Sequence, residues 1–386
     1  ARYNNEKLTI SSNEISGVSS PVAASGIYVE QFLNQIVHPS GALVNFPSGD
    51  AQMRTYNNTI WGLSRTSSAA SMAGIHYLTA RKTGLAGINA LLTPAISDYF
   101  TQGDVIANNT IVMSNDNVNG VNAVVGIGLQ QSRSAEVYNN AIAMLGGSSA
   151  SSLVHSALLY EGTMPGKSDW GLNSDYNAFW LPSSSMAYLV ETTQKSEMLS
   201  VGSVDEFKTV NQWRARTGQD DNSVEGNFTS EFVYTGTAPA QSLRIQTNPA
   251  PLGSILNNRG KRLSYITTDI DGQLRGEAEM PYDLGADEFA GRLYVSDLEA
   301  IRIISPRTYK RESGMFSDAE YVMTKAPVMI TARVRNSGSL PQSGVKITAR
   351  VYMEAPSTAG NPSIPAVYVA GPTMEKIITI ADGTSQ

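Results

Sequence analysis

The chain contains no cysteine in 386 residues. Thiolate nucleophiles, cysteine-ligated zinc and iron–sulfur clusters are therefore excluded, and disulfides contribute nothing to the fold. Histidine is nearly as scarce. The three present, His38, His76 and His155, lie far apart, and no two have metal-pair spacing. No Gly-x-Ser-x-Gly elbow supplies a serine partner for any of them. Charge is thin as well: 28 Lys and Arg against 34 Asp and Glu give a net -6. Charged residues make up 16% of the chain, where about 25% is usual. The densest basic cluster, Arg259 with Lys261 and Arg262, is too sparse for the counterion-release footprint of nucleic-acid binding. No window approaches the roughly 18 apolar residues of a membrane span, and no charged-then-apolar leader opens the chain.

What is present is a surface of Ser, Thr, Asn and Gln, with many short β-prone runs separated by Asn, Gly and Ser. That texture belongs to an all-β protein. At 41.3 kDa the chain exceeds one ordinary core, so several domains or one elongated repeat array is expected. Self-similarity supports the array. The segments 11–17 (SSNEISG), 56–62 (YNNTIWG), 107–113 (ANNTIVM) and 138–144 (YNNAIAM) each place Asn two positions before Ile; 175–181 (DYNAFWL) keeps the Asn before an aromatic. The equivalent residues are Asn13, Asn58, Asn109, Asn140 and Asn177, spaced by 45, 51, 31 and 37 residues. A second element, small residues leading into Gly-apolar, recurs at Gly26, Gly74 and Gly126.

A chain that makes strand, corner, strand, corner and returns after roughly 20–30 residues coils as a parallel β-solenoid. The intervals of 45 and 51 then mean two coils, or one coil with an insertion. Each asparagine suits a sharp corner because it tolerates left-handed backbone, and stacked side-chain amides can hydrogen-bond from rung to rung.

Further along, 174–180 (SDYNAFW), 210–226 (VNQWRARTGQDDNSVEG), 248–260 (NPAPLGSILNNRG) and 267–289 (TTDIDGQLRGEAEMPYDLGADEF) resemble the closing region of bacterial right-handed parallel β-helix surface proteins of the choice-of-anchor Q type. The resemblance is specific over 174–289 and diffuse before it; Leu252-Gly253 departs from the family's Ile-Asp. It implies β-helix repeats over 1–205, a closing region over 206–290, and an extracellular, cell-surface setting. From 291 the texture changes to alternating strands with turns at Asn336-Ser337-Gly338 and Pro341-Gln342-Ser343-Gly344, similar to extracellular immunoglobulin-like modules. The 96 residues after 290 hold only four or five such strands, so an incomplete sandwich is expected, and with it an internal slice of a longer surface protein. The expected fold is thus all-β: a right-handed parallel β-helix followed by an immunoglobulin-like β-sandwich.

The resemblance also admits a polysaccharide lyase or glycoside hydrolase, since such solenoids work with paired carboxylates or with calcium beside a basic residue. The candidate acids are Asp50, Asp98, Asp104, Asp116, Glu136, Glu161, Asp169 and Asp175, none adjacent to another. The one Asp-Asp pair, Asp220-Asp221, falls in the 217–223 turn, where capping that loop is the simpler role. Asp269 and Asp271 open a stretch like a calcium loop, but Met280 occupies its twelfth position. Arg275 is expected to pair with Asp283 or Glu288 and close the solenoid end. Trp170, Tyr176, Phe179 and Trp180 either stack on a glycan or plug the core end. Sequons at Asn57, Asn108 and Asn227 are present, the first two coinciding with corners. The reading expects no cofactor, no nucleic-acid partner, and self-association or a neighbouring surface protein as partner, with a glycan as alternative.

Overall fold

The computed structural model describes residues 8–31, 35–37, 43–45, 53–67, 71–79, 101–102, 104–113, 124–130, 132–133, 135–145, 155–161, 172–182, 187–192, 204–207, 209–233, 242–246, 251–276, 280–292, 296–305, 308–312, 315–319, 330–336, 338, 340–354 and 368–380. Two compact units divide the chain: residues 1–291 with 309–318, and residues 292–308 with 319–386.

In the first unit, strands of two to nine residues stack in sequence order into three parallel sheets. The first sheet carries Thr9–Ser11, Arg54–Tyr56, Val105–Ala107, Glu136–Tyr138 and Asn173–Asp175. The second, reached one corner later in every coil, carries Glu14–Ser16, Thr59–Trp61, Thr110–Met113, Ala141–Met144, Ala178–Trp180 and Val224–Glu225. The third carries Ala23–Gln31, Ser71–Thr79, Val124–Gln130, His155–Glu161 and Ala187–Thr192, and ends with the antiparallel strand Val204–Phe207. This is a parallel solenoid of successive coils. Asn13 stacks directly on Asn58, and Asn58 on Asn109, so the 45- and 51-residue intervals are single coils with insertions.

Alternation along each strand divides its side chains between two environments. Inward, the register lines up Ile15, Ile60, Ile111, Ile142 and Phe179 on the second sheet, and Ile27, Ile75, Ile127 and Leu158 on the third. These rows form one continuous core that also takes in Val210 and Trp213 of the helix Val210–Thr217. The glycine column follows from the same geometry. Gly26, Gly74 and Gly126 are stacked on the third sheet; a Cβ at Gly74 would lie 2.5 Å from Ile111 Cγ2 and 2.6 Å from the Gly126 carbonyl oxygen.

Outward, two sheets are covered by the chain that follows the coils. Trp61, Val112, Ala141, Ala143 and Ala178 of the second sheet pack against Phe228, Phe232, Leu243, Ile245, Leu256, Leu284 and Phe289. On the first sheet, Val105 and Ala107 pack against Leu263, Ile266 and Tyr282. Arg54 lies 4.6 Å over the Tyr265 ring, and Lys261 lies 4.1 Å over Tyr138. The expected end closure by Arg275 is therefore corrected. The helix 210–217 joins the core beyond the last coil, while residues 251–276 and 280–289 lie along the flank of the solenoid.

In the second unit, Leu298–Ser305 pairs antiparallel with Thr331–Asn336, and Gln342–Glu354 with Tyr368–Ile380. Asn336 is fully buried and organises the turn after its strand: its Oδ1 accepts from Gly338 N at 3.1 Å, and its Nδ2 donates to Leu340 O at 2.8 Å.

Candidate functional site: the asparagine corner and its cover

The corner between the first and second sheets concentrates the buried polar chemistry of the described residues. Two adjacent residues divide the work there. The corner-former, with φ near +55°, is Ser12, Asn57, Asn108, Asn139 or Tyr176, always one place before the stacked asparagine. The expectation that the stacked asparagine itself takes the left-handed conformation is corrected accordingly. The residue behind it faces inward, where its amide serves the stack.

That stack is continuous. Asn13 Nδ2 donates to Asn58 Oδ1 at 2.9 Å, Asn58 to Asn109 at 2.9 Å, Asn109 to Asn140 at 2.9 Å and Asn140 to Asn177 at 3.1 Å. The backbone N–H of each of the first four reaches the same oxygen of the next. All run in one direction. Asn177 breaks the series by donating to Asp220 Oδ1 at 3.1 Å. Asp220 also accepts from Ser223 Oγ at 2.6 Å and, through its other oxygen, from Trp213 Nε1 at 2.9 Å. Burial pushes its carboxyl above the usual range, against hydrogen bonds from Ser223, Ser174 and Asn177 that hold it down.

The outer asparagines fasten the cover. Asn57 Nδ2 donates to Thr268 O at 2.6 Å, and Asn139 exchanges bonds with Lys261, Nδ2 to O and N to Oδ1, both at 2.7 Å. Asn108 Nδ2 reaches Asp283 O and Gly285 O at 3.4 Å each. Ala286 N donates to Thr110 Oγ1 at 2.8 Å.

Arg275 lies at the centre of the cover, its side chain fully enclosed. One Nη donates to Glu288 Oε2 at 3.0 Å; the other reaches Asn57 Oδ1, Gly285 O and Ala286 O at 3.0, 3.0 and 2.7 Å. Of the two partners anticipated, Glu288 makes the ion pair, and Asp283 accepts backbone N–H groups from Asn258 at 2.6 Å and Phe289 at 2.8 Å. Burial lowers the guanidinium pKa, while Glu288, Asp269, Asp283 and Asp287 oppose that shift. Burial, then the Glu288 charge, raises the Asp283 carboxyl.

Asp269, Asp271 and Asp287 form the one potential metal-binding group of acids and histidines among the described residues, with one oxygen from each lying within 4.8 Å of the others. Each already has a partner of its own. Asp269 accepts from Asp271 N, Gln273 N and Glu288 N, which makes it a turn-former. Asp271 is gripped by Arg244 through two bonds of 2.7 and 2.8 Å, and Arg244 also meets Glu14 at 2.6 Å. Asp287 accepts from Ile245 N at 2.6 Å; burial, with Asp269 and Asp271 adding to it, raises its carboxyl to about 6. A guanidinium thus supplies the positive charge that this group of acids needs.

The remaining candidates are scattered. Phe179 lies in the inner core whereas Trp180 packs against the outer cluster, so alternation sends these two rings to opposite faces of one sheet, and Tyr176 at the corner joins the outer cluster. Trp170 lies outside the described residues, as do Asp50, Asp98, Asp116, Asp169 and His38. Asp104 accepts from Met53 N at 3.2 Å, and Asp175 accepts from Tyr176 N and Asn222. His76 is buried edge-on to Tyr28 at 5.2 Å. Sequence reasoning missed Arg244, Asp287 and the outer asparagines; the doubled Asn at 57–58, 108–109 and 139–140 was the available signal for the last of these.

Comparison with known proteins returns no match to a family model, a curated protein or a solved structure. Among the described residues no helix is long and apolar enough to cross a membrane.

Proposed function

We propose that the chain is a structural segment of an extracellular surface protein: a right-handed parallel β-helix of the choice-of-anchor Q type, followed by an immunoglobulin-like module. The observation that carries the reading is how the buried polar groups are used. Asp220 holds the stack and the helix through Asn177 and Trp213, Arg275 ties cover to coil through Asn57, and Asp283, Asp287 and Glu288 accept backbone N–H groups within the cover. Groups held this way provide rigidity and register rather than a proton to transfer. The right hand follows from the handedness of parallel crossovers. The antiparallel pairs after residue 297 and the Asn336 turn support the immunoglobulin-like module.

An adhesive or assembly-forming role fits this construction. Negative-stain electron microscopy of the protein taken from its native surface tests it. Regular fibres or arrays are the expected result, and dispersed particles would count against it.

The second reading, an enzyme acting on an acidic polysaccharide, is favoured by one observation: the raised Asp287 carboxyl beside Asp269 and Asp271. Turnover of such a polymer that disappears in Asp287→Asn would establish this reading in place of the first.

A further inference from the structure

Three stretches of the chain read Asn-x-Thr, the acceptor pattern for N-linked glycosylation: 57–59, 108–110 and 227–229. The fold treats them in opposite ways. In the first two the asparagine and the threonine are both buried, and the acceptor nitrogen is already committed to the cover: Asn57 Nδ2 donates to Thr268 O at 2.6 Å, and Asn108 Nδ2 reaches Asp283 O and Gly285 O at 3.4 Å each. Asn227, by contrast, is exposed, two residues past Val224–Glu225, the last strand of the second sheet. Its Oδ1 accepts from Thr229 N at 3.0 Å and from Thr229 Oγ1 at 2.8 Å, while its Nδ2 meets no partner among the described residues. The segment around it is anchored from within. Gly226 N donates to Phe179 O at 3.0 Å, and Phe228 is fully buried in the outer cluster, edge-on to Phe232 with ring centroids 5.9 Å apart. The middle residue of the pattern thus faces the packed interior, and the two that carry its chemistry flank it.

We infer that Asn227 is an acceptor for an N-linked glycan in the folded protein, taking its oligosaccharide from a polyprenyl-diphosphate donor. In that transfer Nδ2 forms a bond to the anomeric carbon and the bond from that carbon to the diphosphate oxygen breaks. The diphosphate leaves with the electron pair, and one amide proton passes to a base of the transferring enzyme. The turn suits this chemistry, because the Thr229 hydroxyl holds the Asn227 amide by its oxygen and leaves the nitrogen open. A glycan is bulky and hydrated, and only an exposed position accommodates one. Asn227 meets that condition; a sugar on Asn57 or Asn108 would displace the cover that their amides hold. The protein's encounter with such an enzyme rests on the extracellular reading above, whereas the choice of Asn227 rests on exposure and turn geometry.

The test incubates the purified, folded full chain with an oligosaccharyltransferase and a polyprenyl-diphosphate-linked oligosaccharide, and reads the glycopeptides by mass spectrometry. Occupancy at Asn227 is expected to exceed that at Asn57 or Asn108 by about tenfold or more, because a buried amide reacts only from an opened state. Thr229→Val removes the hydroxyl bond and is expected to abolish the modification, whereas Thr229→Ser is expected to retain it. Melting temperatures of both variants establish that the fold is intact. A bare Asn227, comparable occupancy at all three asparagines, or a glycan undiminished in Thr229→Val would overturn the inference. Failure of the extracellular reading has a separate signature: transfer to the purified chain, with Asn227 bare in protein taken from its native source.

Discussion

Asn177 donates its side-chain amide to the buried carboxylate of Asp220, 43 residues ahead and 3.1 Å away. This contact ends the corner stack, and the same carboxylate holds Trp213 of the helix that joins the core beyond the last coil. Closure of the stack and closure of the core are thus one structural event.

Within the stack, position decides cost. Asn109→Ala strips a buried site of its bonds to Asn140 and Thr55 O and leaves Asn58 without its acceptor. A loss of about 3 kcal/mol is expected for the buried residue, and less than about 1 kcal/mol for Asn13→Ala at the exposed end. Denaturant midpoints of the two variants measure the difference.

The glycine column predicts a steric effect. Gly74→Ala places a methyl against Ile111 and the Gly126 carbonyl, and the backbone oxygen cannot swing away as a side chain does. Destabilisation of about 1–3 kcal/mol is expected. Gly17→Ala is the control: no neighbour lies within 4 Å, but its φ of +69° gives it strain alone.

Arg275 combines an ion pair with three neutral acceptors in an enclosed site. Arg275→Met leaves Glu288 without its charge partner and should cost about 3–5 kcal/mol. Arg275→Lys restores charge without the planar fork and is expected to recover only part of that loss in thermal melts.

Asp287 sets a pH dependence. Its folded pKa of about 6 exceeds the unfolded carboxylate value, about 3.9, so the native state binds the extra proton between these limits. Stability from this group therefore falls as pH rises from about 4 to about 6, leaving at neutral pH a penalty on the order of 3 kcal/mol. Asp287→Asn keeps an acceptor for Ile245 N, and should raise the melting temperature at pH 7 while leaving it unchanged near pH 4. The group of acids also bears on calcium: with Arg244 occupying Asp271, millimolar calcium is expected to leave the melting temperature unaltered.

How far the sequence disclosed this architecture depended on the kind of signal. The recurring Asn-x-Ile spacing located the inner stack because each asparagine performs the same local task in every coil. The Gly-apolar element marked the glycine column for the same reason. The flank position of residues 251–276 and 280–289 was not legible, because it depends on partners such as Asn57 and Arg275, 218 residues apart. Periodicity encodes neighbours along a coil; it carries no information on what packs across its outer face. The helix 210–217 was missed on similar grounds, since Val210 and Trp213 become apolar anchors only once a core end exists for them to meet. The aromatics at 170–180 read as either a glycan platform or a plug of the core end, yet alternation sends Phe179 inward and Trp180 outward.

The central claim is that coils and cover form one cooperative body, fastened through the asparagine corner. Native-state hydrogen exchange measures this most directly, because Gly285 N donates into the coils at Asn139 O, 2.7 Å away, while Thr110 N donates from coil to coil at Asn58 O, 2.9 Å away. Both amides are predicted to exchange only through the same global opening, with equal opening free energies. Exchange at Gly285 faster than at Thr110 by about a hundredfold or more would show a cover that opens independently of the coils, and would contradict the account.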